Sequence, residues 1–412
     1  MSEFKVNSIT NKDGNAGPQV CGVSTFSGKS GVRIPSGSTD FRRKDGGGRG
    51  VGLTIAGNNG SNTSNIEKIE IATKGNAVDF GDVRVANTAM GACASSVRGL
   101  AAGGQQPSSY TKNIDFINIV SGGTAVNFGQ LLYGRDWPGG LSNNILGLFA
   151  GGRGDRGGGG NGNNIIDFVT IASTGDATEF GELIEPGGIL VSSHNHPQKY
   201  YRMTAASPTR GIITGAVSPS YDRSIQFITF ATKGNGQSFG TLSQTHTGGA
   251  GCSNSTRAIF GGGYSTYPSL TNIIDFVTIA TTGNASDFGD LTQARQAVSG
   301  ASSQTRGVVA GGYVYGSPAG TFNINTIDFI TIASTGNATD FGDLIVGAMA
   351  KSVGNCSDLT RGVFAGGKTS APTYINTIEF VTIASTGNAS DFGDLENARH
   401  GTSGLSNSIR GL

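Results

Sequence analysis

Short runs of alternating apolar and polar residues, each closed by glycine, fill most of the chain. Residues 306–360 contain one full unit of the pattern. "RGVVAGG" (306–312) is a brief apolar run stopped by Gly-Gly. "NTIDFITIAS" (325–334) alternates polar and apolar residues and is rich in Ile, Phe and Thr, which suits a half-buried strand. "TGNA" reads as a turn, "TDFGDL" (339–344) as a short third strand, and "SVGNCSD" as a small-residue fourth strand. Variable stretches separate the first strand from the second and the third from the fourth. "TRG" then opens the next unit.

The pattern returns seven times. The Phe-Gly pairs begin at Phe80, Phe128, Phe180, Phe239, Phe288, Phe341 and Phe392, at intervals of 48, 52, 59, 49, 53 and 51 residues. A period near 50 with four short strands per unit predicts a propeller blade. One blade cannot bury both of its faces, so neighbours must stack. The expected fold is an all-β, seven-bladed β-propeller over residues 49–412, closed so that no sheet edge remains, after an extended leader at 1–48. "IRGL" (409–412) starts a further first strand, so the C-terminus is expected beside "RGVGLTIAG" (49–57).

The repetition also disposes of one catalytic motif. Asp340-Phe341-Gly342 is the triplet that holds magnesium in protein kinases, where it is needed once. Here its first position is Asn127 in one copy and Ser238 in another. It is expected to be a structural turn, with Gly supplying positive φ and Phe plugging the core.

Composition changes the picture modestly. The 69 glycines follow the repeat, unlike those of a disordered linker. Charged residues are 14%, which favours strands and turns over charged amphipathic helices. Net charge is +1, divided as +4 over residues 1–49 and −3 over the rest. The cluster Arg42-Arg43-Lys44 reads as a solvated or partner-contacting linker, and no nucleic-acid partner is expected. No apolar run is long enough to span a bilayer, and the N-terminus has no secretory h-region. Cys93, Cys252 and Cys356 each stand five residues before a repeat arginine, at a position held elsewhere by Leu or Ala. They read as buried core thiols without disulfides; Cys21 stands alone in the leader.

The chain resembles kelch-type propellers in its Gly-Gly pairs at 103–104, 151–152, 261–262, 311–312 and 366–367, and in the arginines at Arg295 and Arg399. It departs from them in lacking strand Tyr and Trp. It resembles more closely the virion structural proteins of marine tailed bacteriophages of the cyanophage type. Those carry units like "TRGVFAGG … NTIEFVTIASTGNASDFGDL … AR", present here at 360–399, after leaders like "FKVNSITNKDGNAGPQVCGVSTFSG" (4–28). That resemblance covers essentially the whole chain. It implies a non-enzymatic, tail-associated virion component, present in multiple copies and docked to other virion proteins through the leader.

Strand parity places both variable loops on one face and both invariant turns on the other. Tyr110, Tyr221, Tyr264, Tyr267, Tyr313, Tyr315 and Tyr374 fall in the loops after Gly-Gly or its equivalent. Tyr133, Tyr200, Tyr201 and the single tryptophan, Trp137, fall in the loops after the third strand. Aromatic residues on variable loops over a rigid scaffold suit a binding face. Tyr110, Trp137, Tyr200, Tyr201, Tyr221, Tyr264, Tyr267, Tyr313, Tyr315 and Tyr374 are therefore the candidate ligand-binding residues, with host-surface polysaccharide as the expected ligand. The tyrosine distribution fits a second explanation, since tyrosine tolerates half-exposed loops better than Phe.

No metal or cofactor is expected. His194 and His196 have ligand-like spacing without a third partner, His246 and His400 read as polar surface residues, and "RGD" (153–155) reads as a soluble turn. The acids Glu67, Asp115, Asp167, Asp275, Asp328 and Glu379 recur on the second strand. They are expected to form a structural ladder with the arginine that opens each first strand, such as Arg306. Two rivals to the adhesin reading are a purely structural virion part (head decoration, tail tube, nozzle or baseplate) and a glycan-cleaving propeller enzyme.

Overall fold

In the computed structural model, the described residues are 50–412 except 144, 155–160, 185–202, 208, 215–221, 267–268, 317–319, 349–355, 359, 370–372 and 407–412; side chains at 161–162, 316, 320–322 and 356–357 are also left aside. The chain divides into units 1–44 and 45–412, and the strands described below belong to the second. They form seven four-stranded antiparallel sheets, the blades of a β-propeller. Among the described residues there is no helix long and apolar enough to cross a membrane.

Blade 6 shows the plan. Its strands, from the axis outward, are Ser299–Ser302, Arg306–Ala310, Thr326–Thr331 and Thr339–Asp343. The small-residue strand was expected to close the preceding unit; instead it opens this blade, with Ser299 opposite Ala310 and Ser302 opposite Gly307. The reason is local. Only residues 303–305 separate it from the next strand, and Ser303 Oγ accepts the Arg306 amide at 3.1 Å, which holds a tight hairpin. A longer variable loop separates it from the strand before.

These inner strands surround the axis, and glycine lets their backbones meet. A methyl at Gly140 would lie 2.0 Å from the Ala92 carbonyl oxygen, and one at Gly251 2.4 Å from that of Thr204. Ring closure uses both ends of the repeat region. Ser403–Ser406 forms the inner strand of blade 1 beside Val51–Asn58, with Leu405 opposite Leu53. The expected partner 409–412 lies outside the described residues. Closure does not abolish edges as expected. Each blade still ends in a third strand with no further strand beside it, five residues long in blades 2 to 7, its outer side met by the turn of the next blade.

Among the described residues the core is seven clusters, one between each pair of neighbouring blades. That between blades 6 and 7 joins Val308, Phe341 and Leu344 to Phe364, Val381 and Ile383. The cluster closing the ring joins Ile69 and Ile71 of blade 1 to Phe380 and Phe392 of blade 7. Cys93 and Cys252 are buried free thiols, and burial pushes each up to about 12.

The repeated "TGNA…DFGDL" stretch is an interlock between blades. The second glycine-turn residue of one blade donates its amide to the Phe carbonyl of the preceding third strand: Gly336 to Phe288, Gly387 to Phe341, and Gly75 to Phe392. The turn's Asn side chain then accepts the next free amide, Asn337 from Asp290 and Asn388 from Asp343. The Gly of the triplet lies directly beneath that turn. The first Asp of the triplet accepts the amide of that glycine, as Asp340 does from Gly342 at 3.0 Å.

Candidate functional site: the loop face and its seams

The two variable loops of each blade share a face, as parity requires. Isolated bridges join Thr88 to Gln105, Thr247 to Tyr264, Gln296 to Tyr313 and His400 to Asn58, each across a blade boundary. The chain enters the propeller at the opposite face. Gly50 accepts the Ile71 amide there, and Ser406 ends opposite Gly52.

The recurring acids are buried at these boundaries, but their partners differ from those expected. Each accepts the amide that follows the third strand of the preceding blade, as Asp328 does from Thr292, Asp167 from Leu132 and Glu67 from Glu396. The charge partner comes from that same loop: Arg135 to Asp167 at 2.8 Å, Arg295 to Asp328 at 3.1 Å, Arg399 to Glu67 at 2.9 Å. Arg84 serves Asp115. His246 takes the arginine position in blade 4, with Nδ1 3.0 Å from the Gly262 carbonyl and Nε2 3.2 Å from Asp275. So His246 is fully buried, not a surface residue. The first-strand arginines instead lie over the Phe of their own second strand and reach the next blade; Arg306 sits 4.6 Å above Phe329 and donates to the Ile383 carbonyl. The expected ladder with the first-strand arginines is not formed; the charge pairs recur between blades instead.

Burial pulls the guanidinium groups of Arg135, Arg295 and Arg399 down from their ordinary value, against the pull of their acids. It raises Glu67 and Asp167, opposed by Arg399 and Arg135 respectively. An axial cluster of carboxylates, which a glycan-cleaving propeller would use, is not what these acids form. The described residues contain no group of three or more His, Cys, Asp or Glu placed for a metal, and His194 and His196 lie outside them.

The candidate aromatic residues divide sharply. Tyr264 and Tyr313 are buried, at 3% and 2% exposure, so neither offers a ring face to a ligand. They follow the Gly-Gly pair (262–263 in blade 5), and plug the boundary with the preceding blade. Tyr315 is half-buried, accepts from Gln296 Nε2 at 2.8 Å, and meets Tyr313 edge-on. Tyr110 is half-buried beneath the Arg153 guanidinium, 5.4 Å from its ring centre. Tyr374 leans on His400 at 5.1 Å and donates to Asn58 at 3.4 Å. His400 is thus part of a boundary contact, and burial together with Lys368 holds its imidazole below the ordinary value. Tyr133, not among the candidates, is exposed. Tyr200, Tyr201, Tyr221 and Tyr267 lie outside the described residues.

Trp137 stands in a different setting. Ala89, Trp137, Gly248, Ala297 and Gly401 each precede an inner strand by two residues, at the loop-face mouth of the axis. Backbone bonds link neighbours around that mouth: Trp137 N to Ala89 O, Ala89 N to Gly401 O, Ala297 N to Gly248 O. All five have left-handed backbones, with φ of 60°, 51°, 72°, 52° and 63°. A left-handed backbone costs a side-chain-bearing residue about 1–2 kcal/mol. Among the described residues this position is Gly or Ala except at Trp137, while the same register falls on Tyr201 in blade 4 and Ser352 in blade 7, both outside the described residues; reading loops by tyrosine content did not single it out.

Beside Trp137, Asp136 is fully buried and ion-paired with Arg153, whose Nε lies 3.1 Å from Oδ1. Arg153 belongs to the "RGD" stretch, so that arginine is engaged rather than displayed; Asp155 lies outside the described residues. Burial raises Asp136 to about 6, despite Arg153. Its folded value exceeds the unfolded one, near 4. Its stabilising effect is therefore full below pH 4 and is lost as pH climbs through about 6. The change amounts to at most about 3 kcal/mol. Unfolding of the native protein and Asp136→Asn, compared by urea titration from pH 4 to 7.5, should show stability falling across this window by more in the native chain. Parallel curves would remove Asp136 as the cause.

No family model and no curated protein matches the chain. Among solved structures, that of YjhT superposes with a TM-score of 0.55 at 9% identity, covering 75% of this chain and 98% of that one. At that identity the similarity speaks for the propeller fold alone.

Proposed function

We propose that the protein is a non-enzymatic virion component whose propeller presents its loop face to the host surface. The observation that carries this is polarity: Gly50 and Ser406, the first and last described residues, both lie on the turn face, opposite the variable loops. A ring held from that side leaves its loop face clear. The turn face also carries exposed apolar side chains where blades 2 and 3 depart from the repeat. Val97, Val120 and Ile145 are 40%, 50% and 65% exposed, where other blades carry Thr256, Thr305 or Ala280. Such a patch suits docking to another protein of the particle.

One observation favours the purely structural alternative. Tyr264 and Tyr313, two of the loop tyrosines, serve packing between blades. The test must therefore spare them. Fluorescently labelled protein is incubated with a panel of marine bacterial cells, beside a triple variant Tyr133→Ala, Tyr267→Ala, Tyr315→Ala with an unchanged melting midpoint. Binding that the variant weakens supports display of the loop face. Binding by neither would favour a structural part of the particle, and binding unchanged by the variant would remove these residues from the site.

A further inference from the structure

The channel mouth on the loop face contains an anomaly of backbone and residue type. Its register position demands a left-handed backbone. Gly248 and Gly401 meet that demand without strain, and Ala89 and Ala297 with little side chain to accommodate. Blade 3 places there the only tryptophan of the chain. A bulky residue at positive φ is a genuine outlier, and such outliers gather at functional sites. The residue is half-buried. The residue before it, Asp136, holds Arg153, which is partly exposed on the same boundary.

We infer that Trp137 is a stacking platform for a pyranose ring of a glycan entering at the axial mouth. This rests on the host-display reading and narrows it to one subsite. A sugar fits better than an apolar peptide. The described neighbours at this register are Ala and Gly, which make no apolar groove, whereas one flat indole matches the C–H face of a single ring. The channel supplies the other requirement. Backbones packed as closely as Gly140 on Ala92 make a rim that does not deform, so the platform is preorganised.

Because the chain has one tryptophan, its fluorescence reports on this site alone. The full-length protein is titrated with cellohexaose, mannohexaose and hexagalacturonate while indole emission is followed. Binding is measured in parallel by calorimetry, for the native chain, Trp137→Gly and Trp137→Phe. A saturable emission change is expected with at least one oligosaccharide. Trp137→Gly should weaken its binding about tenfold or more, and Trp137→Phe should retain part of it. Trp137→Gly should also fold, because relieved backbone strain offsets the lost packing; a melting midpoint within about 4 °C of native would show this. Calorimetric binding with unchanged emission and undiminished affinity in Trp137→Gly would overturn the subsite while leaving display of the loop face intact. An absence of binding to all three sugars would overturn the subsite too, and the cell-panel assay would then decide the broader reading separately.

Discussion

Gly289→Ala should cost about 3–5 kcal/mol of stability, enough to leave much of the protein unfolded at moderate urea. Two effects combine. The backbone there has φ of +139°, which an L side chain rarely adopts, and the added methyl would lie 2.5 Å from the backbone of Gly336 in the next blade. Backbone cannot step aside as a flexible side chain can. Relief would require pulling the turn off the third strand, breaking the bond from Gly336 N to Phe288 O at 2.7 Å and that from Asp290 N to Asn337 Oδ1 at 3.1 Å. Asp287→Ala provides the comparison. It deletes only the exposed bond to the Gly289 amide and should cost about 1 kcal/mol. Urea unfolding monitored by circular dichroism separates the two. Equal midpoints for both variants would mean that the glycine is not a contact point between blades.

Arg295→Ala should be the next most damaging change, at about 3–5 kcal/mol. Its guanidinium is fully buried, and its Nη2 reaches both Asp328 and the Val309 carbonyl. Truncation strands the Asp328 carboxylate at a boundary where water does not reach it. The Thr292 amide and hydroxyl still bind that carboxylate, at 3.1 and 2.6 Å, but they do not neutralise it. The double variant Arg295→Met, Asp328→Asn should recover more than half of the loss. The amide oxygen keeps one acceptor for Thr292, and methionine refills the volume without a charge. A double variant as unstable as Arg295→Ala would mean that lost packing, rather than an unpaired charge, sets the cost.

Both results follow from where the repeat does its work. The period, the strand alternation and the Gly-Gly stops were legible because each is set by neighbours in sequence. The seven repeats and four strands per blade are of this kind. The small-residue strand was assigned to the wrong blade because periodicity is blind to pairing: a strand between two others fits either until hairpin length decides. The second-strand acids were seen to recur, and a charge ladder was expected, yet the arginine chosen was the nearer one in the written repeat. Arg295, not Arg306, meets Asp328, because the blades stack face to face and bring the loop of one onto the strand of the next. The tyrosines fared likewise. Their place in the loops was plain, but Tyr264 and Tyr313 sit beneath a neighbouring blade's loop and so became plugs.

By itself, then, the sequence determined the unit: a run of alternating residues buries one face only beside a similar run, and glycine and asparagine mark where the backbone must turn. It also determined the number of units, and therefore a closed stack rather than a lone sheet. Tertiary structure alone decided which residues meet across the boundaries between units. It turned a magnesium-like triplet into an interlock, gave blade 1 its inner strand from residues 403–406, and set one tryptophan at the mouth of the axis. The physical reason is range. Alternation and turn chemistry act over a few residues, whereas each of these contacts joins positions about 30 to 350 residues apart, and their geometry exists only once the ring has closed.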